Sequence, residues 1–276
     1  MTKENNNFHK VVDVDKLVKD SKSKIARYFP RFIISWIKKT LCQDELNIIH
    51  NKYLDKFGMD YVNALIEELD LKITMHNEDT LQKADRCIFV ANHPLGAIDA
   101  LSFLHCIHKL KGKVISPSNE FFNYIPNLRP LIVGVNVFKR NDKEHIDKIN
   151  EVFLSDAQIM IFPAGLVSRK KDGQIKDLEW HKSFVSKAIQ NKRFVIPTYI
   201  TGKNSKKFYR IARLRKFFGI KLPIETLYLP QEMLKNKGFS IELTFGEPIP
   251  YTYFDRTKSP HEWAQQVREL VYNIAK

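Results

Sequence analysis

The pattern with the clearest chemical meaning is Asn92-His-Pro-Leu-Gly-Ala-Ile-Asp99, in which a histidine is followed by an aspartate. A carboxylate that binds one ring nitrogen of a histidine fixes the tautomer and raises the basicity of the other nitrogen. The pair therefore suits removal of a proton from an attacking hydroxyl group, with His93 as the general base and Asp99 as its partner. The spacing alone is equally compatible with a histidine that caps a helix beside an incidental aspartate.

The residues around this pair predict how it is positioned. The apolar run 87–91 predicts a strand directly before it, and Pro94 favours an extended residue before itself and a helix start after itself. His93 is therefore expected at the carboxyl end of a strand, where open α/β sheets place ligands. Asp99 is expected in the second turn of the following helix, leaning back toward the imidazole.

Strands and helices alternate through the rest of the chain. Further apolar runs predict strands at residues 132–138, 158–162, 194–200 and 240–245, and helical patterns lie roughly at 95–110, 142–156, 181–192, 206–217 and 260–275. Such alternation predicts an α/β fold with a mainly parallel sheet flanked by helices. We predict three parts: a polar, flexible N-terminus (1–22), a helical membrane-associating segment (23–78) and an α/β domain (79–276).

Two segments have the composition of helices that lie on a membrane. In residues 30–41 one helical face gathers apolar side chains, namely Phe32, Ile33, Trp36, Ile37 and Leu41. In residues 205–218 the basic Arg210 and Arg213 oppose an apolar side formed by Phe208, Ile211, Ala212, Leu214 and Phe218. We expect both segments to bind anionic lipid. For residues 205–218, a packed helix with a solvated basic face fits the same pattern.

Charge and composition narrow the choice of partners. The 276 residues include 45 Lys+Arg against 31 Asp+Glu, and the net charge of +14 implies nucleic acid, anionic lipid or an acidic carrier. No helix-turn-helix, RNP or zinc-finger pattern accompanies this charge, so no nucleic-acid partner is expected. The three scattered cysteines favour a reducing cytosolic setting over a disulfide framework or a zinc cluster. No apolar run approaches the roughly 18–20 residues of a membrane span, so membrane contact is expected to be peripheral or monotopic.

Four sequence blocks carry a resemblance to a known family. The His93 block resembles the His-x-x-x-x-Asp block of the glycerolipid acyltransferase superfamily. Three further blocks follow in the family's order: Gly134-Val-Asn-Val-Phe-Lys-Arg140, Phe162-Pro-Ala-Gly165 and Val195-Ile-Pro-Thr198. The resemblance implies direct transfer of an acyl chain to a lipid hydroxyl from an acyl carrier protein or coenzyme A thioester. It also implies no metal, no other cofactor and no acyl-enzyme intermediate, and a location at the cytoplasmic face of the membrane.

The same blocks suggest which residues bind the substrate. The candidates are Asn92, Gly96, Arg140, Gly165, Ser168 and Arg169. The guanidinium groups of Arg140 and Arg169 match the geometry of carboxylate and phosphate groups, and surface ion pairs are the alternative role. Gly165 lets the backbone approach a substrate closely, or it forms an ordinary turn.

The departures from the family pattern bear on the acceptor. Five residues rather than four separate the histidine from the aspartate, and Gly96 offers the flexibility to absorb the extra one. Ala164 replaces the family's glutamate, and Leu166-Val167 replace its Thr-Arg. These features resemble the branch that acylates N-acylated amino-acid lipids, such as lyso-ornithine or lyso-glycine lipids, and we predict an O-acyltransferase for such an acceptor. The alternatives are a lysophosphatidate acyltransferase and, in another class, a non-enzymatic basic membrane- or nucleic-acid-binding protein.

Overall fold

A seven-stranded sheet forms the centre of the protein. The computed structural model describes residues 8–20, 28–119, 122, 124–135 and 143–274. The strands in chain order are β1 (Lys72–His76), β2 (Cys87–Ala91), β3 (Val114–Asn119), β4 (Ile132–Val135), β5 (Gln158–Ile161), β6 (Arg169–Lys171), β7 (Gln174–Lys176), β8 (Phe194–Ile200) and β9 (Ser240–Phe245). The large sheet has the order β1-β9-β8-β2-β5-β3-β4, and β6 and β7 form a separate hairpin. Strand β2 is thus the central strand.

Most strands of the large sheet run in one direction. Strands β8, β2, β5, β3 and β4 are parallel to their neighbours, whereas β9 pairs antiparallel with β8 and carries β1 with it. All five residues of β2 are buried, as is usual for a parallel strand covered on both faces. The prediction of a mainly parallel sheet is confirmed. Because parallel strands end at the same edge, the segments that follow β2, β5 and β8 are neighbours.

Helices cover both faces of this sheet. They are α1 (Val14–Asp20), α2 (Arg31–Thr40), α3 (Gln43–Lys52), α4 (Met59–Glu68), α5 (Ala97–Lys111), α6 (Lys143–Leu154), α7 (Ser183–Asn191), α8 (Lys206–Phe217), α9 (Leu229–Lys235) and α10 (Pro260–Ile274). The helices predicted after residue 90 agree with α5, α6, α7, α8 and α10 to within two residues at each end. None of the helices in the described part of the chain combines the length and apolar composition needed to cross a membrane.

The sheet separates two hydrophobic layers, and β2 contributes to both. Phe89 belongs to the layer that includes Phe103 of α5, whereas Ile88 and Val90 belong to the layer that includes Phe184 of α7. This division follows from the alternation of side chains along a strand. The carboxyl end of β2 is therefore supported from both faces, which gives the following corner a rigid base.

Within the N-terminus that was predicted to be flexible (1–22), the described residues 8–20 make specific contacts, and residues 1–7 and 21–22 lie outside the described residues. Residues 14–20 form α1, and the Asn47 Oδ1 atom accepts hydrogen bonds from the main-chain N–H groups of Val11 and Val12, each at 2.9 Å. Val12 and Val14 are buried. These contacts satisfy the backbone of a short segment whose own composition gives no strong helical signal.

The sheet also begins earlier than the predicted domain boundary at residue 79. Strand β1 lies inside the range that was predicted to be helical, and it pairs in parallel with β9 over five residues from Lys72 to His76. Its exposed and partly buried positions alternate along an edge of the sheet. Pairing with a strand far along the chain, which local patterns do not reveal, determines its structure.

Candidate active site

The corner between β2 and α5 brings the predicted histidine and aspartate together. Pro94 follows His93, and α5 begins at Ala97 after Gly96, whose φ of 97° and ψ of −120° favour glycine. Asp99 therefore lies in the first turn of the helix, not in the second as expected from the sequence. Its Oδ2 atom is 3.0 Å from Nδ1 of His93, the contact expected between a base and its partner.

Asp99 is a fully buried carboxylate held by the surrounding backbone. Its Oδ2 atom also accepts hydrogen bonds from the main-chain N–H groups of Leu95 at 2.7 Å and Gly96 at 3.0 Å. Burial raises the pKa of Asp99, while the hydrogen bond from His93 and those from the two N–H groups act in the opposite direction. The N-terminal end of α5 also favours a negative charge at this position.

The imidazole ring of His93 is held between Asp99 and Phe162. The rings of His93 and Phe162 are stacked, with centroids 4.0 Å apart and an interplanar angle of 19°. Because the carboxylate accepts from Nδ1, the hydrogen of a neutral imidazole belongs on Nδ1, and Nε2 is left as an acceptor. The described residues make no hydrogen bond to Nε2, and the side chain keeps 16% of its surface accessible. An incoming hydroxyl group can donate its proton there.

The segment after β5 forms the wall beside His93. Gly165 has a φ of 66°, and its N–H group donates to the main-chain oxygen of Phe162 at 3.0 Å, so the chain turns sharply at the end of the strand. The N–H group of Ser168 then donates to the main-chain oxygen of His93 at 2.7 Å. Gly165 is exposed in this turn, and its direct contact with a substrate stays a prediction.

Two of the predicted substrate-binding residues are buried and engaged with the protein. Asn92 joins the carboxyl ends of β2 and β8, because its Nδ2 donates to the oxygen of Ile200 at 2.8 Å and its Oδ1 accepts from the Ile200 N–H group at 2.7 Å. The Ser168 hydroxyl donates to Oδ1 of Asp177 at 2.5 Å. Both side chains hold the site together, a role that the sequence analysis did not assign to them.

Glycine suits position 96 because it has no Cβ atom and adopts a positive φ, rather than because it is flexible. A Cβ atom at this position would lie 3.3–3.7 Å from the side chain of Leu229, and the positive φ would itself strain any other residue. The extra residue between the histidine and the aspartate is thus accommodated by a defined turn.

Of the two arginines predicted to bind the acceptor, Arg169 is engaged in an ion pair. Its Nη2 lies 2.8 Å from Oε1 of the fully buried Glu225, and its guanidinium group lies 5.4 Å from the ring centroid of Phe208. Glu225 forms a second ion pair with Arg215, also at 2.8 Å. A buried carboxylate requires such partners, so Arg169 already has a structural role. Arg140 lies outside the described residues.

The sequence analysis missed Asp177, which also touches the histidine. This carboxylate is 4% exposed, and its Oδ1 accepts a hydrogen bond from the main-chain N–H group of His93 at 3.2 Å. Asp177 directly follows β7, at the end of a hairpin whose tight turn contains Asp172-Gly173, with φ values of 50° and 79°. An Asp-Gly pair between short strand-forming runs is a known hairpin signal, and it offered a route to this residue.

The described residues hold no group of three or more His, Cys, Asp or Glu side chains placed to bind a metal ion. The expectation that the reaction requires no metal stays a prediction. What the site offers is an oriented imidazole with one free nitrogen, backed by a buried carboxylate. That arrangement suits general-base activation of a hydroxyl group.

Known proteins resemble this chain over nearly its full length. A family model described as "Acyltransferase" matches residues 16–276. The lyso-glycine lipid O-acyltransferases of Bacteroides thetaiotaomicron and Phocaeicola vulgatus are each 39% identical to the chain over 265 residues, which is 96% of this chain and 97% and 95% of the two relatives. Among solved structures, the 1-acyl-sn-glycerophosphate acyltransferase from Thermotoga maritima is similar with a TM-score of 0.43 and 16% identity, covering 95% of this chain and 86% of that one.

Proposed function

The chain belongs to the acyltransferase family, and we propose that this enzyme transfers a fatty acyl chain from an acyl thioester to the hydroxyl group of a lyso-glycine lipid. The observation that carries the reaction type is the hydrogen bond between His93 and the buried Asp99 at the carboxyl edge of the sheet. The choice of acceptor is supported by the 39% identity to two lyso-glycine lipid O-acyltransferases over almost the whole chain.

The proposed reaction uses His93 as a base and then as an acid. Nε2 takes the proton of the acceptor hydroxyl while the oxygen attacks the thioester carbonyl carbon. The carbon–sulfur bond breaks when the tetrahedral intermediate collapses, and the departing thiolate takes the proton back from the imidazolium. The products are an ester and a free thiol. Asp99 orients the ring and stabilises the imidazolium, and such general-base assistance is typically worth about 10²- to 10⁴-fold in rate.

The third sequence block supports an acceptor without a phosphate group. Ala164 and Val167 are buried and apolar where phosphate-handling relatives carry charged side chains, and Arg169 is paired with Glu225. Desolvating a dianionic phosphate without several partners is costly. A lyso-amino-acid lipid presents at most a carboxylate and an amide, which need fewer such partners.

The surface next to the site supports attachment to a membrane. On α2, Phe32 and Trp36 are exposed, and the Trp36 ring meets Tyr228 edge-on with centroids 6.2 Å apart. Nζ of Lys207 on α8 lies over the same Tyr228 ring, 4.6 Å from its centroid. Helices α2 and α8 therefore both contact Tyr228, and the next residue, Leu229, borders the Gly96 corner.

Helix α8 differs in one respect from its predicted pattern. Phe208 and Ala212 are buried together with Tyr209, whereas Leu214, Phe217 and Phe218 are exposed beyond them. We define the lipid-facing surface by its exposed apolar side chains: Phe32, Trp36, Leu214, Phe217, Phe218 and Leu222. Arg210, Arg213 and Lys216 of α8 are exposed as well, which suits contact with anionic lipid on the cytoplasmic face of the membrane. An acidic acyl carrier protein or the anionic coenzyme A would find the same favourable charge.

The test is a comparison of two acceptors with one acyl thioester donor. We expect the purified enzyme to acylate a hydroxylated N-acyl glycine with a higher kcat/KM than lysophosphatidate. A clear preference for lysophosphatidate would show that the altered third block was misinterpreted, although acyl transfer by His93 would survive.

A control separates an enzyme from a non-enzymatic lipid-binding protein. The variant His93→Ala should lose turnover by about 10²-fold or more and still bind lipid vesicles, because His93 acts on the proton and not on the membrane. Unchanged turnover in this variant would remove His93 from the mechanism.

A further inference from the structure

The main chain of His93 is clamped on both sides by the two ends of one hairpin. Ser168 stands directly before β6 and Asp177 directly after β7, so the two residues lie one position beyond the last pair of the β6–β7 hairpin, Arg169 and Lys176. The His93 N–H group donates to Oδ1 of Asp177 at 3.2 Å, and the His93 carbonyl accepts from the Ser168 N–H group at 2.7 Å. The Ser168 hydroxyl closes the clamp by donating to the same Oδ1 at 2.5 Å.

Hydrogen bonds with three further residues hold Asp177 in place. The indole N–H group of the buried Trp180 donates to Oδ2 at 2.9 Å. The Asp177 N–H group donates to the hydroxyl of Tyr272 at 2.7 Å, and Nη2 of Arg268 donates to the Asp177 carbonyl at 2.5 Å. Tyr272 and Arg268 both belong to α10, so the clamp is anchored to the last helix. The carboxylate reaches the His93 backbone from a rigid support.

We infer that Asp177 is a positioning residue for the acyl transfer, one that holds the His93 backbone so that Nδ1 stays at Asp99 and Nε2 stays at the reacting hydroxyl. The inference rests on the proposed role of His93 as base. Asp177 bonds to the main chain of His93 and not to its ring, so it affects the position of the imidazole. Asp99 is the residue that bonds to the ring itself. A displacement of about 1 Å at a reacting group costs as much as 10²-fold in rate, which makes such a clamp valuable.

A carboxylate is chemically suited to this position. It only accepts hydrogen bonds, and three donors surround it: the His93 N–H, the Ser168 hydroxyl and the Trp180 indole N–H. Asparagine has nearly the same shape, but its NH₂ group would meet the Trp180 indole N–H or, with the amide turned round, the His93 N–H. Either repulsion displaces or removes the hydrogen bond that holds the His93 backbone. Burying a carboxylate carries a large desolvation free energy, which contacts such as these must offset.

The experiment compares Asp177→Asn with the wild type and with Val271→Ala. Val271 is fully buried on α10 and takes no part in the clamp, so its variant reports what general destabilisation does to the rate. We expect Asp177→Asn to lower kcat by about 10- to 100-fold with KM for both substrates changed less than about threefold. The midpoint of the pH–rate profile should not move. Val271→Ala should lose thermal stability and keep its kcat.

A second readout does not depend on turnover. Hydrogen exchange at the His93 amide should be faster in Asp177→Asn than in Val271→Ala when each variant is measured at the same number of degrees below its own Tm. If exchange accelerates and kcat stays within twofold of the wild type, the positioning role is overturned. If His93→Ala retains full turnover, the proposed function fails, whatever Asp177→Asn does.

Ser168→Ala serves if Asp177→Asn does not fold. It removes the hydroxyl that orients Oδ1 and keeps the Ser168 N–H bond to His93. A fall in kcat of about three- to tenfold at constant KM supports the clamp. A rise in KM for the acceptor at constant kcat would instead make Ser168 a substrate-binding residue and overturn the inference.

Discussion

At the scale of single residues, Asp99 combines a proposed role in catalysis with a cost in stability. Burial raises its pKa above the ordinary value. An acid with a raised pKa in the folded state contributes stability at low pH, and this contribution is lost as the pH rises from the unfolded value of about 4 through the folded value. Above this pH range the ionised carboxylate therefore lowers the free energy of unfolding. The hydrogen bonds that Asp99 accepts from His93 and from the two N–H groups offset this loss of stability only in part.

This balance predicts opposite effects of Asp99→Asn on rate and stability. An amide oxygen at the Oδ2 position can keep the hydrogen bonds of His93, Leu95 and Gly96, but it cannot stabilise an imidazolium as a carboxylate does. We expect kcat to fall by about 10²- to 10⁴-fold. Thermal unfolding at pH 8 should show an equal or higher Tm than the wild type, and this difference should shrink at pH 5. A Tm deficit that is larger at pH 8 than at pH 5 would contradict the assigned sign of the pKa shift.

At the scale of elements, the residue at which α5 begins decides where His93 lies relative to Asp99. Helix α5 is flanked by two glycines with similar backbone angles: Gly96 has φ 97° and ψ −120°, and Gly112 has φ 76° and ψ −131°. A Cβ atom at Gly96 would meet Leu229 at 3.3 Å, whereas one at Gly112 would meet nothing within 4 Å. A side chain would therefore be strained at either position, but it would contact a neighbouring residue, Leu229, only at Gly96.

The pair Gly96→Ala and Gly112→Ala tests this difference. Each substitution should destabilise the protein by about 1–3 kcal/mol, because alanine is strained at a positive φ. Only Gly96→Ala should also reduce kcat, since its contact with Leu229 displaces the corner that carries His93. Thermal unfolding and initial rates on both variants measure the two effects. Equal loss of kcat in both would mean that backbone strain alone, and not the corner, controls the rate.

At the scale of the whole molecule, the net charge of +14 and the proposed lipid-facing surface predict how the protein should bind vesicles. The charge reversals Arg210→Glu and Arg213→Glu should weaken binding to vesicles that contain phosphatidylglycerol, and high salt should have the same effect because it screens exposed charges. Replacing Phe217 and Phe218 by alanine should weaken binding at any salt concentration, because the apolar contribution does not depend on screening.

Vesicle co-sedimentation measures both effects. The matched control replaces two other exposed apolar residues, Ile189 of α7 and Leu270 of α10, by alanine. This control should bind as the wild type does. If it binds as weakly as the Phe217 and Phe218 variant, general hydrophobicity explains the attachment. If neither charge reversal nor salt affects binding, the basic face of α8 is not part of the membrane contact.

The sequence by itself determined the features that depend on neighbouring residues. The apolar run 87–91 and Pro94 predicted the strand-to-helix corner, because these residues are close together in the chain. That corner, together with the resemblance to a known family, predicted the contact between His93 and Asp99, which the spacing alone left open. Helix α8 was predicted with its observed bounds because its pattern also lies in neighbouring residues. Its buried side was predicted only in part, because exposure depends on what packs against the helix.

Only the tertiary structure decided the partners of the polar side chains. Arg169 meets Glu225, which lies 56 residues later, and the His93 N–H group meets Asp177, which lies 84 residues later. Strand β1 acquires its structure from β9 near the other end of the chain. A buried polar group takes whichever partner the packing of distant elements brings within hydrogen-bonding distance, and no local pattern records that choice. The sequence therefore predicted which residue is the candidate base, whereas the fold decided which residues hold it in place.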